Sequence, residues 1–438
     1  MRVVFLAAGA GGMYCGSCLR DGALAGAMRE LGHDFILVPL YTPLRLDEET
    51  SHEERVFFGG VDVYLQEKFP RFRENPGRIG ALLASQKLLR WISKRALRTN
   101  PRDLGALTVS MLRGEEGNQR RSLDELASWI ERGPRPDVVH LSNVLFVGLA
   151  RELKRRLGVP VVAGLQGEDL FLEGLVEPYR TRALDAVRRR ARDVDRFIAT
   201  SAYYAAKAAE WLAIDPGRID VAHPGISLAG WDDPRDAMIQ RRGRVIGYFA
   251  RISPEKGLHF LAGAFGRLAV SDEFRDVELR AAGYLGPRER SYAAWIRRSL
   301  AAKGLSRRFR LLGTADREAK LAFFRGIDVF SVPTIHPEPK GNFLVESFAA
   351  GVPAVVPAHG SMPELVEASG GGLLFDPESE DDLAEKLGVL LRDPELRARL
   401  GESGRAAARA RFTSTSMAES TAAAYGKVLS LAGRPAEK

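Results

Sequence analysis

Apolar and polar residues alternate along this chain in two successive series of short buried runs separated by helical stretches. In the first series, residues 3–8, 35–40, 137–140, 161–164 and 197–200 are mainly apolar runs of strand length. A run that is apolar throughout, without in–out alternation, predicts a strand covered on both faces, as in a parallel sheet wrapped by helices. Residues 19–31 carry helical spacing and end at Gly32. Residues 219–223 and the pair Pro224-Gly225 close this half. The second series opens at 245–249 and continues with 277–281, 309–312, 327–332, 354–356 and 373–375. Two alternating αβ series predict two parallel-sheet α/β domains. We place the first at 1–226, with a basic helical segment inserted at 75–125. A linker follows at 227–243, where Gly230, Pro234 and several charges interrupt the pattern. The second domain spans 244–410, and 411–438 forms a C-terminal helix expected to cross back to the first.

The chain has 438 residues, enough for two or three domains. No run approaches the roughly eighteen apolar residues of a membrane-spanning helix. Residues 3–12 are apolar but lack a basic leader and run into glycines, so they read as a first strand and not as a signal peptide. There are two cysteines, Cys15 and Cys18, and no disulfide framework, which makes a reducing cytoplasm the expected compartment. Their C-x-x-C spacing lacks a second pair to complete a zinc site. Two readings stay open: thiols activated at a helix start, and small side chains in a crowded loop.

The formal charge is +8 and the isoelectric point about 9.5, which favours acidic partners or reflects an arginine-rich surface. Residues 75–102 contain no acid, and the basic positions 87, 90, 94, 95 and 98 cluster apart from an apolar set. Such a helix could lie on an anionic membrane from the cytoplasmic side, or pack on the first domain.

The opening strand–glycine loop–helix–strand unit is Rossmann-like. The dinucleotide fingerprint nevertheless fails: Gly9 and Gly11 have the first spacing, but Tyr14 stands at the third glycine position, and the second strand ends without an acid for a ribose hydroxyl. A nicotinamide dehydrogenase is therefore disfavoured.

The most informative stretch is 332–367. After the run at 327–332 comes a polar loop, with Asn342 expected as the N-cap of a short apolar helix. Gly351 is placed to close that helix in a left-handed conformation, and Pro353 bars its continuation. Pro363 stands where the first turn of the next helix should begin. Glu338 precedes the short helix and Glu346 lies within it. A helix N-terminus offers unpaired N–H groups and a positive dipole end suited to a diphosphate, and flanking carboxylates accept hydrogen bonds from sugar hydroxyls. A nucleoside diphosphate sugar satisfies all three features.

These residues resemble retaining glycosyltransferases of family 4, which have the GT-B fold. The sequence E-P-K-G-N-F-L-V-E-S-F-A-A-G-V-P-A-V-V-P follows the family's E-x7-E pattern and its surroundings over some thirty positions. The resemblance implies two Rossmann-like domains facing across a cleft. It implies that Glu338 contacts the transferred sugar, that Glu346 holds the ribose hydroxyls, and that the backbone of Asn342, Phe343, Leu344 and Val345 meets the phosphates. Gly11 and Gly12 match the loop that faces donor phosphates and acceptor. Pro339-Lys340 replaces the common Gly-Phe, so the loop around the sugar is shaped differently and the resemblance does not name the sugar.

Just after the run at 245–249, Arg251 and Lys256 match the family's R-x4-K pair, which binds the donor diphosphate. Two cations at a strand's carboxyl end can neutralise a departing diphosphate, so no metal is expected. Pro254 should open a helix there, capped by Ser253. The D-x-D at 193–195 precedes a strand, at the end away from ligands, and is expected to be solvated. Leu312 and Gly313 end the strand expected to flank the base.

In the first domain Tyr14, His140, Gln166, Glu168 and Asp169 fall at loops or strand ends, as do Ser201 and Tyr203, and the first five are candidates for acceptor or sugar contacts. Where many family members have histidine–aspartate, this chain has Gln166-Gly167-Glu168-Asp169. Glu168 or Asp169 contacts the sugar or acceptor, or caps its own loop.

The expected activity is transfer of a sugar from a nucleoside diphosphate to a sugar, lipid-linked or small-molecule acceptor. The family implies retention of anomeric configuration. No cofactor, metal or nucleic-acid partner is expected. The alternatives are a basic nucleic-acid- or membrane-binding protein with a degenerate GT-B fold, and a nucleotide-sugar epimerase of that fold.

Overall fold

A computed structural model describes residues 1–9, 16–41, 56–58, 101–231, 244–314 and 316–433, with 101–103 described in backbone only. Gly11, Gly12, Tyr14 and Cys15 lie outside the described residues. So do all but the edge of the basic stretch at 75–102 and most of the linker. The chain divides into two units: Met1–His223 with Met417–Lys438, and Pro224–Ser416.

Among the described residues the first unit holds six parallel strands: β1 (Arg2–Ala7), β2 (Asp34–Pro39), β3 (Val138–Leu141), β4 (Val161–Leu165), β5 (Arg196–Ala199) and β6 (Ile219–Val221), in the order β2-β1-β3-β4-β5-β6. Its helices are α1 (Gly16–Glu30), α2 (Pro101–Arg113), α3 (Arg120–Arg132), α4 (Ala150–Leu157), a single turn α5 (Asp169–Glu173), α6 (Tyr179–Arg190) and α7 (Ala202–Leu212). The apolar run of β1 supplies both faces of the sheet. Val4 and Leu6 join the core under the helices from α2 onwards, while Val3, Phe5 and Ala7 join a second core with α1. Each fully buried side chain of this size contributes about 1.5–3 kcal/mol, which is why the run forms a central strand.

The second unit repeats the plan with β7 (Val245–Phe249), β8 (Glu278–Ala282), β9 (Phe309–Leu311), β10 (Val329–Phe330), β11 (Ala354–Pro357) and β12 (Gly372–Phe375), ordered β12-β11-β10-β7-β8-β9. Its helices are α8 (Leu258–Leu268), α9 (Arg290–Ala302), α10 (Arg317–Arg325), α11 (Asn342–Ala349), α12 (Met362–Ser369), α13 (Glu380–Arg392) and α14 (Pro394–Arg411). The last helix, α15 (Ser414–Leu431), belongs almost wholly to the first unit. Met417, Ala418, Tyr425, Val428 and Leu429 complete the core of Val3, Phe5 and Leu24.

All twelve strands stand within two or three residues of the apolar runs that announced them. Four details differ. The run at 327–332 pairs as a strand only at Val329 and Phe330, although the N–H of Ser331 still donates to the carbonyl of Gly247 at 2.9 Å. Asn342 is not the N-cap of α11; Gly341 is, at φ 75°, and Asn342 is the first helical residue. Ser253 precedes the short turn Pro254–Lys256 in extended conformation, but its hydroxyl makes no capping bond. The D-x-D carboxylates are engaged and not merely solvated: Asp195 accepts from the N–H of Val161 at 2.8 Å and pairs with Lys154 at 2.7 Å, and Asp193 pairs with Arg151 at 3.2 Å. They tie the start of β4 to α4. Gly351 and Pro363 stand as expected, Gly351 at φ 64° and Pro363 in the first turn of α12.

Candidate functional site

In the second unit, strands β8 and β9 are laid to one side of β7, and β10, β11 and β12 to the other. The order in which successive strands are laid down therefore reverses between β7 and β10, while all six stay parallel. The loops leaving their carboxyl ends diverge there, which is where an open parallel sheet takes its ligand. The loop after β7 carries Arg251, Ser253 and Lys256; the loop after β10 carries Thr334, Glu338 and Lys340; the loop after β11 carries His359 and Ser361.

Backbone contacts lock these loops together. The N–H of Ile335 donates to the carbonyl of Glu255 at 3.0 Å, and that of Ser361 to the carbonyl of Glu338 at 2.8 Å. The left-handed Gly257 (φ 70°) lets the first two loops meet, since a Cβ there would stand 1.7 Å from the carbonyl oxygen of Pro333. Gly360 (φ 63°) serves the same purpose for the third loop, where a Cβ would stand 2.5 Å from the backbone nitrogen of Glu338.

On this frame Lys256 and Glu338 form a direct ion pair. Burial alone would raise the Glu338 pKa. The Lys256 ammonium, the Lys340 charge and a hydrogen bond from the Lys340 backbone outweigh it and hold the carboxyl below the usual carboxylate range. Lys256 also lies 5.6 Å from the ring centre of Phe343, in the first turn of α11. The ladder of α11 starts with Val345 donating to Gly341, so the N–H groups of Asn342 and Phe343 precede it, at the positive end of the helix. The N–H groups of Leu344 and Val345 both turn inward to the Gly341 carbonyl, at 2.9 and 3.2 Å. Glu346, one turn on, pairs with Lys320 of α10 at 2.9 Å. Arg251 is exposed and pairs with Glu255 four residues later. Leu312 is exposed and Gly313 left-handed (φ 77°), its carbonyl accepting from the N–H of Gly283 at 2.8 Å. Glu338, Arg251, Lys256, Asn342, Phe343 and Glu346 thus share the loops and the helix that surround one switch point.

Several polar groups at the same loops escaped notice in the sequence. The hydroxyls of Ser253, Ser331, Thr334 and Ser361 and Nδ1 of His359 are buried without a hydrogen-bond partner among the described residues. Each such group costs about 1–3 kcal/mol, so a cluster of them past the carboxyl ends of β7, β10 and β11 marks a place where a hydroxylated ligand can supply partners. Nε2 of His359 lies 2.9 Å from the carbonyl oxygen of Thr334. A carbonyl only accepts, so the proton is assigned to Nε2 and Nδ1 is left as an acceptor. Burial lowers the His359 pKa, keeping the ring neutral. Isolated serines, threonines and histidines carry no spacing signal, and only the folded loops gather them.

The described candidates in the first unit, His140, Gln166, Glu168 and Asp169, form a buried network. Both carboxylate oxygens of Glu168 accept from the N–H of Gln166, at 2.9 and 3.0 Å, which is loop capping. Asp169 accepts from the hydroxyl of Tyr204 at 2.8 Å and pairs with Lys207 at 2.5 Å. The Gln166 side chain donates to the carbonyl of Ser142 at 2.7 Å. His140 is buried against Phe5, with Nδ1 2.6 Å from the Tyr425 hydroxyl on α15. Burial, aided by the charge of Arg20, lowers its pKa to about 3. Arg20 and Asp21 on α1 are buried beside it, two residues the sequence did not single out. No group of metal-ligating side chains stands together among the described residues, and no described helix is long and apolar enough to cross a membrane.

Comparison with known proteins places this geometry. Residues 231–407 match the family described as glycosyl transferases group 1, and residues 107–229 match glycosyltransferase family 4. A D-inositol 3-phosphate glycosyltransferase of Corynebacterium efficiens is 31% identical over 198 residues, covering 43% of this chain and 46% of that protein. The chain thus spans about half the length of that relative. An MMP alpha-(1->4)-mannosyltransferase of Mycolicibacterium hassiacum is 28% identical over 310 residues, covering 67% of this chain and 71% of that protein. Among solved structures, Anabaena Alr3699/HepE in complex with UDP superposes with a TM-score of 0.68 at 18% identity, covering 97% of this chain and 99% of that one. Sucrose-phosphate synthase of Thermosynechococcus elongatus gives 0.66 at 17%, covering 98% and 99%. With two six-stranded Rossmann-like units, Glu338 in the loop before α11 and Glu346 on it, and both family matches in register with those units, the chain belongs to the GT-B glycosyltransferases of the family 4 type.

Proposed function

We propose that this protein transfers a hexosyl group from a nucleoside diphosphate sugar to a hydroxyl of its acceptor, with retention of configuration and without a metal ion. The observation that carries the reading is the Lys256–Glu338 ion pair set beside the N-terminus of α11. Lys256, Arg251 and the first N–H groups of α11 bring positive charge to where a diphosphate would depart. Glu338 and the unpartnered hydroxyls around it suit a polyhydroxylated sugar. Relatives named as an inositol phosphate glycosyltransferase and a mannosyltransferase support the activity class. The Anabaena protein has been solved with UDP-glucose, which supports a nucleotide-sugar donor.

In this reading the bond between the anomeric carbon and the diphosphate oxygen breaks first. The acceptor oxygen bonds to that carbon on the same face, and its proton passes to the departing phosphate oxygen. Cationic side chains carry the leaving charge that a metal would otherwise take. The basic stretch 75–102 would give peripheral contact with an anionic membrane on the cytoplasmic side, for which co-sedimentation with anionic against neutral vesicles is the test.

The deciding experiment measures thermal stabilisation by UDP, GDP, ADP and their sugars, with and without EDTA. NMR of the glycosylated product then reports the anomer. Binding by one nucleotide class that EDTA leaves unchanged, lost in Lys256→Ala, supports the proposal. Loss of transfer with EDTA, or an inverted product, removes the corresponding part. Isomerisation of the donor without acceptor would indicate an epimerase. No stabilisation by any nucleotide would favour a binding protein of degenerate fold.

A further inference from the structure

Lys320 lies on the buried face of α10, with Phe323 and Phe324 at the spacing where a helix presents its core side. It is only 8% exposed. Lysines are almost never buried to this degree unless paired, because their desolvation is costly. Its Nζ stands 2.9 Å from Oε1 of Glu346, with the two side chains 10% and 15% exposed. The pair joins two helices, 26 residues apart in sequence. An apolar residue would serve the α10 core better, and what the ammonium contributes at this position is its contact with Glu346.

Two consequences follow from that contact. Glu346 lies one turn from the N-terminus of α11, where a diphosphate is to bind. An unbalanced carboxylate there would repel it, and Lys320 makes the pair neutral. The pair also changes what the carboxylate recognises. A carboxylate alone only accepts hydrogen bonds, whereas ammonium and carboxylate together offer donor and acceptor side by side. A vicinal diol presents two hydroxyls, each able to donate and accept, and so fits both.

We propose that Lys320 is a positioning and specificity residue for the ribose end of the donor: it holds Glu346 in place and, with it, selects a ribose 2′,3′-diol over a deoxyribose. The proposal rests on the nucleotide-sugar reading above.

The test is isothermal titration of the full chain with whichever of UDP, GDP or ADP binds, and with its 2′-deoxy and 3′-deoxy counterparts. The wild type is expected to prefer the ribonucleotide by at least about tenfold, since a missing hydroxyl leaves a buried polar group unfilled. Lys320→Met should weaken ribonucleotide binding roughly 10- to 100-fold and bring the ribo-to-deoxy ratio close to one. Lys320→Arg should keep part of the preference. The double variant Lys320→Met/Glu346→Gln removes both charges, and so keeps the test usable if the single variant misfolds. It too should lose the preference. A variant that binds more weakly but discriminates as the wild type does would overturn the proposal, leaving Lys320 a purely structural partner. A double variant that keeps the preference would do the same. If the wild type binds a nucleotide without any ribo preference, this inference fails while the functional reading stands. If it binds none, both fail.

Discussion

Lys256 and Glu338 stand 82 residues apart in sequence and form a direct ion pair at the switch point of the second sheet. The pair sets the charge of the carboxylate expected to touch the transferred sugar. Lys256→Met should leave Glu338 without its strongest compensating charge. The lysine side chain is 23% exposed, so the loss of stability should sit below that of a fully buried pair, about 2 kcal/mol, read as a lower unfolding midpoint. Turnover should fall by roughly 100-fold or more, as when a charge-stabilising donor is removed elsewhere. Turnover within a few-fold of wild type would show that the pair is structural.

Replacing the buried Gly257 should be costly. Gly257→Ala forces a left-handed alanine and drives its Cβ to within 1.7 Å of the Pro333 carbonyl. We expect a loss of about 2 kcal/mol or more, with donor binding weakened because the loops after β7 and β10 separate. An alanine variant with wild-type midpoint and binding would contradict the locked-loop geometry.

His140 is expected to make the first unit acid-sensitive. Its pKa is about 3 in the fold against an ordinary 6.5. Between those values the unfolded chain binds the proton and the folded chain does not, so stability must fall as pH drops from about 6.5 towards 3. The loss should reach a few kcal/mol across that window. His140→Asn cannot titrate there and should flatten the pH dependence of the unfolding midpoint; an unchanged slope would assign the acid sensitivity to other groups.

Tyr425 tests the role of the last helix. Tyr425→Phe keeps the ring but removes the hydroxyl 2.6 Å from His140, for a loss of about 1 kcal/mol. Tyr425→Ala also opens a cavity beside His140 and should cost about 3–5 kcal/mol. Ending the chain at Thr413 removes Met417, Ala418, Val428 and Leu429 from the core of β1 and α1, and should leave the first unit unable to fold cooperatively. Fluorescence and circular dichroism during denaturation would report each outcome. A truncated chain that unfolds like the intact one would show α15 to be dispensable.

The candidate site was proposed from the primary structure because its signals are local. Glu338 and Glu346 are separated by a fixed spacing around a helix start, and Arg251 and Lys256 lie just past a strand. Such patterns survive in a one-dimensional string because strand, loop and helix follow one another along the chain. The cap of α11 was misassigned for an equally local reason. Both Gly341 and Asn342 suit a helix entry, and only the packing of Gly341 against Leu365 and Met362 decides that the glycine takes the left-handed position. Lys320 was invisible, since a lysine in a helical stretch is usually a solvated surface residue. Its burial depends on Phe323 and Phe324 anchoring α10 and on α11 bringing Glu346 to it.

The sequence by itself determined the two parallel sheets, their twelve described strands and the residue types around α11, the helix expected to meet the diphosphate. The hydrophobic pattern and the Gly and Pro punctuation act over a few residues at a time, and these alone specify the elements. Tertiary structure decided which of the charged residues meet. It paired Lys256 with Glu338 and Lys320 with Glu346, gathered the hydroxyls of Ser331, Thr334 and Ser361 with His359, and turned His140 inward onto Tyr425. These contacts join loops and helices from distant parts of the chain. Their cost or benefit depends on burial, which no single stretch of sequence carries.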